Sequence, residues 1–87
     1  MKFVYSDSFK KNVSDLSFEE KGILKEKLTL MLQNPRHLPL RIKKIQSYKG
    51  IFESTVTIGI RITWQYMKKD VILLRKIGPH DKTLKKP

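Results

Sequence analysis

The second half of the sequence contains four side chains that could act together on a phosphodiester: Glu53, Arg61, Arg75 and His80. The planar guanidinium of arginine matches the oxygens of a phosphate. A carboxylate or an imidazole can transfer a proton near neutral pH. RNA carries its own nucleophile, the 2′-OH, so its cleavage needs only orientation, proton transfer and stabilisation of the charged phosphorus. The four residues therefore predict RNA cleavage without a metal ion.

Each of these residues also has a structural interpretation. Arg61 alternates with isoleucines on a predicted strand, which is compatible with a solvated side chain. Glu53 is equally compatible with a salt bridge to a nearby basic residue. Arg75 could bind phosphate without taking part in the chemistry. His37 lies among prolines, and we interpret it as part of a loop.

The neighbouring residues His80 and Asp81 are not expected to form a catalytic pair. Adjacent residues on a helix do not face each other, and on a strand they point to opposite sides. Asp81 is instead predicted to be an N-cap or turn residue for the segment KTLKK. The bend at Gly78-Pro79 would turn His80 towards Arg75 and the face of a sheet.

The net charge of +11 is confined to one part of the chain. Residues 1–26 carry equal numbers of acidic and basic side chains, whereas residues 27–87 carry fourteen basic and three acidic ones. This asymmetry predicts a polyanionic partner, because solubility alone needs a net charge of only about 2–8 in a small domain. The candidate RNA-binding residues are basic side chains of a central loop and of the tail, with one tyrosine that could stack on a base. They are Arg41, Lys43, Lys44, Tyr48, Lys49, Lys82 and Lys85.

The composition argues against several other kinds of site. The chain has no cysteine, and His37 and His80 are far apart, so the usual spacings of metal ligands are missing. The four glycines are scattered, which excludes a glycine-rich phosphate loop, and no GxSxG motif occurs. We therefore predict no metal and no cofactor. No apolar run is long enough for a membrane span, and we predict a cytoplasmic protein that does not bind membranes.

The first half of the chain predicts a short strand and two helices. KFVY favours a strand, and Asp7-Ser8 is a predicted N-cap for the first helix. The sequence SFEE places Glu20 three residues after Ser17, which is typical of a capping box at the start of the second helix. Asn34-Pro35 is predicted to end that helix, since proline disfavours helical geometry in the residue before it. An irregular basic loop or sheet edge follows.

The second half predicts three strands. They are residues 51–58, 60–66 and 71–77. A turn about Gly59 would place Glu53 opposite Gln65 in the hairpin and keep the apolar side chains on one face. A helical hairpin can cover only that face, so Glu53, Arg61, Gln65 and Arg75 would remain on the other. The prediction for residues 1–87 is a single α+β domain in which two helices pack on a small antiparallel sheet, in the order β-α-α-β-β-β.

Several segments together resemble the RelE/ParE superfamily of type II toxins. They are the opening FVYSDSFKKNVSDL, the helix end LQNP, the run LPLRIKKIQSYKGIFES, the strand IRITWQY and the ending VILLRKIGPHDKTLKKP. The resemblance covers essentially the whole chain and rests on the order of these segments. It implies a helical hairpin on a small antiparallel sheet, and a partner antitoxin that blocks the site.

The resemblance also implies an activity and roles for residues. RelE-like members are ribosome-dependent endoribonucleases that cut mRNA in the A site without a metal ion. By this resemblance Arg61 and Arg75 would contact the scissile phosphate and His80 would be the general acid. The base would be Glu53 or a loop lysine (Lys43, Lys44 or Lys49). The basic loop and tail would contact ribosomal RNA. The protein would contact DNA only indirectly, as part of the toxin–antitoxin complex.

The sequence departs from this pattern at defined positions. Thr55, Thr57 and Thr63 stand where the YafQ-type branch has additional histidines, and the RelE-type carboxyl-terminal tyrosine is missing. Two alternatives therefore stay open. One is a ParE-like inhibitor of DNA gyrase, and the other is a catalytically weak homologue that acts only by binding an antitoxin.

Overall fold

Strand β1 (Lys2–Tyr5) and helix α1 (Asp7–Ser14) are separated by a single residue, Ser6. The computed structural model describes residues 1–34 and 36–87. Ser6 has an extended backbone, and its Oγ accepts a hydrogen bond from the backbone N–H of Phe9 at 3.0 Å. The same hydroxyl donates to the carbonyl of Arg75 at 2.6 Å. The predicted cap at Asp7-Ser8 is therefore wrong, because Ser6 caps the helix and also ties it to the sheet.

Helix α2 (Phe18–Gln33) begins with the predicted capping box. The Oγ of Ser17 accepts from the backbone N–H of Glu20 at 3.1 Å, and Oε1 of Glu20 accepts from the backbone N–H of Ser17 at 2.8 Å. These two bonds satisfy donors that the first helical turn leaves free. Asn34 is the C-cap, as expected. Pro35, the other residue of the predicted helix end, lies outside the described residues.

The remaining elements form a five-stranded sheet and a short last helix. After a single 3₁₀ turn (Leu38–Leu40), they are β2 (Lys43–Lys44), β3 (Phe52–Thr55), β4 (Ile60–Lys68), β5 (Val71–Pro79) and α3 (His80–Lys85). The strand order is β1-β5-β4-β3-β2. The α+β class is confirmed, but the sheet is mixed rather than wholly antiparallel, because β1 pairs with β5 in parallel. The strand β2 and the helix α3 are additions to the predicted order.

The β3–β4 hairpin is shifted from the predicted register. Glu53 lies opposite Thr63 rather than Gln65, and Thr55 lies opposite Arg61. A tight turn about Gly59 would favour a positive φ, and the φ of Gly59 lies outside that region. The hairpin instead closes through a longer loop, in which the backbone N–H of Val56 donates to the carbonyl of Ile60 at 3.0 Å. The side-chain faces are unchanged because the shift is by an even number of residues.

A β-bulge in β5 sets which side chains reach each face of the sheet. Thr63 pairs with Lys76 and Trp64 pairs with Leu74, so one residue of β5, Arg75, has no direct counterpart. The extra residue changes the alternation, and Ile77 returns to the helix side, where it is buried. Arg75 remains on the opposite side, where it contacts Gln65 on β4.

The helices α1 and α2 cover one face of the sheet and enclose the core. Trp64 is buried at its centre and stacks on Phe52 with ring centroids 4.7 Å apart. Its Nε1 donates to Oγ of Ser54 at 2.7 Å, which satisfies a buried polar group. Phe9 and Met31 supply buried side chains from the two helices. Among the described residues, no helix is both long and apolar enough to span a membrane.

The opposite face carries most of the predicted chemistry, and we call it the polar face. It bears Glu53, Thr55, Arg61, Thr63, Gln65 and Arg75. The sequence predicts that this face is open. It is covered instead by residues 80–87, which we call the tail, because α3 and the residues after it fold back over the sheet. Pro87 is buried as a result.

Candidate functional site

Glu53 and Arg61 form an ion pair on the polar face. The Nε of Arg61 lies 3.7 Å from Oε1 of Glu53, and both side chains are mostly shielded from solvent. The two residues come from adjacent strands and are diagonal neighbours, since Glu53 lies directly opposite Thr63. The salt bridge that the sequence left as an alternative for Glu53 is therefore present.

The guanidinium of Arg61 is also fixed to the turn that precedes β4. Its Nη1 donates to the carbonyl oxygens of Thr57 at 2.7 Å and Ile58 at 2.9 Å, and more weakly to that of Ile60 at 3.3 Å. These bonds hold the head of the side chain in place by several donors at once. Arg61 is thus a cation held by its neighbours rather than a solvated one.

Arg75 is the second ordered cation of the polar face. Its Nη1 donates to Oε1 of Gln65, and its Nε donates to the backbone oxygen of Pro87 at 3.0 Å. The Oγ1 of Thr63 donates to the same oxygen of Pro87 at 3.1 Å. Two side-chain donors therefore converge on one oxygen atom. Thr63 is about 7 Å along β4 from Arg61, and it lies directly opposite Glu53 on β3.

The tail is held over the polar face by contacts at both ends. At its start, the backbone of Gly78 approaches Thr83 so closely that an added Cβ would lie 2.9 Å from the threonine Oγ1. Further along, the hydroxyl of Tyr48 donates to the carbonyl of Lys85 at 3.0 Å. At its end, Pro87 lies against Thr63, which has no exposed surface. The side chains predicted to share this face do share it, and the tail covers them.

His80 lies at the edge of the site and not beside Arg75. Its backbone N–H donates to the carbonyl of Gly59 at 2.9 Å, which places it next to the β3–β4 turn. Arg75 is five residues earlier, and its guanidinium donates to Gln65 and Pro87. The described residues show no hydrogen bond between His80 and Arg75, and their partnership stays a prediction. Arg61 is the nearer of the two arginines along the sheet, because it lies opposite Gly78.

His80 and Asp81 do contact each other, contrary to expectation. The Nδ1 of His80 lies 3.0 Å from Oδ1 of Asp81, with the histidine half-exposed and the aspartate almost fully exposed. The two side chains can meet because His80 is the first residue of α3, where the chain leaves the strand geometry of β5. Asp81 is within the first turn of α3 and Pro79 is the N-cap, so the predicted capping role of Asp81 is also wrong.

The predicted RNA-binding residues border the polar face on two sides. Lys43 lies opposite Glu53, which places its side chain on the polar face, and Lys44 points the other way because it lies opposite Phe52. Arg41 ends the 3₁₀ turn with a φ of 46° in the left-handed region, which is uncommon for a residue with a side chain. The other members of the predicted set are also exposed: they are Tyr48, Lys49, Lys82 and Lys85.

The structure adds Thr63 and Gln65 to the residues that could handle a phosphate. Their contacts with Pro87 and with Arg75 depend on the bulge in β5 and on the folded-back tail. Neither feature has a clear signal in a single sequence, although the position of Gln65 on the polar face was predicted. His37, interpreted as a loop residue, is the N-cap of the 3₁₀ turn.

The chemistry available on this face is that of side chains alone. Two arginines offer several N–H donors to an anion, and Glu53 offers a carboxylate between Arg61 and Lys43. Within residues 1–34 and 36–87, no cluster of three or more metal-ligating side chains occurs. Such a surface can bind a phosphodiester and can accept a proton beside it.

Solved structures with the same fold come from several toxins. YafQ from E. coli has a TM-score of 0.78 and 21% sequence identity, over 93% of this chain and 94% of that one. The RelB-RelE antitoxin–toxin complex from Methanococcus jannaschii has a TM-score of 0.70 and 18% identity, over 94% and 95%. A YoeB/ParE toxin from Agrobacterium tumefaciens has a TM-score of 0.79 and 10% identity, over 92% and 99%. No protein-family model and no curated protein sequence matches this chain.

These likenesses show a shared fold. They confirm the predicted RelE-like architecture, and they extend over nearly the whole length of both chains in each comparison. At these identities the likeness does not itself assign an activity. The side chains of the polar face therefore have to support any assignment of an activity.

Proposed function

We propose that this chain is the toxin of a type II toxin–antitoxin pair and cleaves mRNA in the ribosomal A site without a metal ion. One observation carries the proposal. In a chain with the fold of YafQ and RelE, Glu53, Arg61 and Arg75 lie on one face of the sheet, and both arginines are ordered. Cleavage of a phosphodiester requires positive groups that are already in place where negative charge develops, and the two arginines can supply them.

The proposed roles follow from position. Arg61 and Arg75 contact the non-bridging oxygens of the scissile phosphate and stabilise the charge that develops on them. Glu53 accepts the proton of the 2′-OH, with Lys43 on the neighbouring strand as the other candidate base. His80 protonates the leaving 5′ oxygen, and Asp81 fixes the orientation of its ring through Nδ1. The oxygen of the 2′-OH forms a bond to phosphorus while the bond to the 5′ oxygen breaks.

The basic surroundings of the polar face provide the docking surface for RNA. Arg41, Lys43 and Lys49 border it on the side of β2, and Lys82 and Lys85 lie in α3. Exposed lysines of this kind add affinity that decreases with salt and does not depend on sequence. We assign these contacts to the mRNA and to ribosomal RNA, and this function places the protein in the cytoplasm.

An acidic antitoxin is the proposed protein partner. A groove of about 540 Å³ lies between α1 and α2, with an apolar floor that includes Phe9, Leu24 and Leu28. Lysines 10, 21 and 25 line its edge. An amphipathic segment with apolar side chains and acidic flanks fits both properties of this groove. YafQ and RelE have been solved with the antitoxins DinJ and RelB, which supports a partner of the same class.

Induced expression followed by mapping of mRNA 5′ ends tests the proposed function. We expect growth arrest and cuts within codons at the A site of translated mRNA, and neither effect for the His80→Ala variant. Growth arrest without such cuts, together with loss of supercoiling by purified gyrase, would instead support the ParE-like alternative. Normal growth at strong induction would support the alternative of a weak homologue, which the covered polar face favours.

A further inference from the structure

One oxygen atom of the tail lies where the polar face concentrates its donors. The backbone oxygen of Pro87 accepts hydrogen bonds from Nε of Arg75 at 3.0 Å and from Oγ1 of Thr63 at 3.1 Å. Both lengths are normal for good hydrogen bonds. The third polar side chain, Gln65, accepts from Arg75 and so keeps the guanidinium in place. This is the geometry of a small anion site with an oxygen already in it.

We propose that Thr63 and Arg75 bind one oxygen of an RNA phosphate, and that the tail occupies this site until the phosphate displaces Pro87. The inference deepens the proposed function, on which it rests, because it assigns Thr63 as a phosphate ligand and the tail as its competitor. A phosphodiester presents two charged oxygens that match the planar fork of a guanidinium, whereas Pro87 presents one oxygen to Arg75 here. RNA therefore has the advantage in this competition.

The tail is attached in a way that permits its release. Its helix α3 has only six residues, and its three lysines are exposed. Within the described part of the chain, its contacts are local: the bond from the His80 N–H to Gly59, the packing of Thr83 on Gly78, the bond from Tyr48 to Lys85, and the two bonds to Pro87. A short segment with so few contacts opens at a small fraction of the global unfolding free energy.

Gly78→Ala is the variant that should release the tail. The new methyl group would lie 2.9 Å from Oγ1 of Thr83, so Thr83 must shift and the packing of α3 on Gly78 is weakened. Gly22→Ala is the matched control, because nothing lies within 4 Å of a Cβ added there. If the tail covers the site for nine-tenths of the time, its release strengthens the apparent affinity for phosphate by about ten-fold.

The test is a titration of each protein with inorganic phosphate, followed by the NMR shifts of the Thr63 amide and the Arg75 Nε–H. We expect weak binding in the wild type and in Gly22→Ala, and about ten-fold tighter binding in Gly78→Ala. Adding Thr63→Val to Gly78→Ala should weaken binding at least five-fold, since it removes one of two donors and preserves shape. Equal phosphate affinity in all four proteins would overturn the inference.

A second variant keeps the inference testable if Gly78→Ala does not fold. Tyr48→Phe removes only the hydroxyl that holds Lys85, and it should also increase phosphate affinity and the amide exchange of residues 82–86. Unchanged affinity and unchanged exchange in a folded Tyr48→Phe protein would count against the tail as a competitor. The titration involves no RNA cleavage, so phosphate binding at Thr63 and Arg75 would stand even if no mRNA were cut.

Discussion

Arg61 and Glu53 face each other diagonally across two strands, with Nε of the arginine 3.7 Å from Oε1 of the glutamate. The same guanidinium donates through Nη1 to carbonyl oxygens of the turn at Thr57 and Ile58. One side chain thus connects the β3–β4 turn to the carboxylate proposed as the base. Stability and activity should therefore both depend on the shape of this guanidinium and not on its charge alone.

Arg61→Lys is the substitution that separates shape from charge. The lysine keeps the positive charge but cannot reach the turn carbonyls and the carboxylate together. We expect a loss of about 1 kcal/mol in the free energy of unfolding, because the part-buried carbonyl of Thr57 and the exposed carbonyl of Ile58 lose a charged donor. We also expect RNA cleavage to fall at least ten-fold. Urea denaturation and a cleavage assay measure the two effects, with exposed Lys69→Ala as the control. A fully stable and active Arg61→Lys protein would contradict the role given to the guanidinium.

His80 and Asp81 should affect cleavage without affecting the fold. Both side chains are exposed to a large degree, and the contact of Nδ1 with the aspartate orients the ring. We expect His80→Gln to abolish cleavage. Asp81→Asn should lower the cleavage rate by less than about ten-fold, because it removes only the partner that orients the histidine ring. Circular dichroism melts should be unchanged in both. If His80→Gln cleaves RNA at the normal rate, His80 is not the general acid.

The bond between Trp64 and Ser54 should be important for stability. Ser54→Ala leaves the buried Nε1–H of Trp64 without an acceptor, and such a group costs about 1–3 kcal/mol. In a domain of this size the melting temperature should fall by about 4–8 °C for each kcal/mol. Ser14→Ala, which removes an exposed hydroxyl bond at the end of α1, is the control and should change little. Equal melting temperatures for the two variants would show that the buried bond contributes nothing.

Charge reversal at the edge of the α1–α2 groove should weaken the proposed antitoxin complex. Lys21 and Lys25 are exposed and line the groove, so Lys21→Glu/Lys25→Glu should repel an acidic partner without unfolding the chain. We expect at least a ten-fold loss of affinity for a co-expressed acidic antitoxin, measured by calorimetry. Lys68→Glu/Lys69→Glu, at the β4–β5 turn, changes the net charge equally away from the groove. The same loss in both double variants would mean that the groove is not the binding surface.

Local signals in the sequence predicted the elements well and the long-range pairings less well. The capping box of Ser17 and Glu20 is contained within four residues, so it could be predicted directly. Ser6 caps α1 instead of Asp7 because its hydroxyl also bonds to the carbonyl of Arg75, which is distant in sequence. The parallel pairing of β1 with β5 is likewise a tertiary feature that hydrophobic periodicity does not encode.

The sequence was enough to predict which strand residues share the polar face, but not the contacts that they make there. Alternation along β3 and β4 was enough to place Glu53, Arg61 and Gln65 on one face. Arg75 is on that face as predicted, while the bulge beside it returns Ile77 to the core, which simple alternation could not show. The cover formed by the tail depends on the tight packing of α3 against Gly78, a three-dimensional contact without a sequence motif.

The most direct test of the central claim uses purified protein and ribosomes programmed with a defined mRNA and an empty A site. We expect the wild type to cut the mRNA within the A-site codon. Glu53→Gln and Arg75→Gln should each reduce the cutting at least ten-fold while remaining folded. The free mRNA without ribosomes should stay intact. No cleavage by a folded wild-type protein, or undiminished cleavage by both variants, would contradict the account of the polar face as a ribosome-dependent RNA-cleaving site.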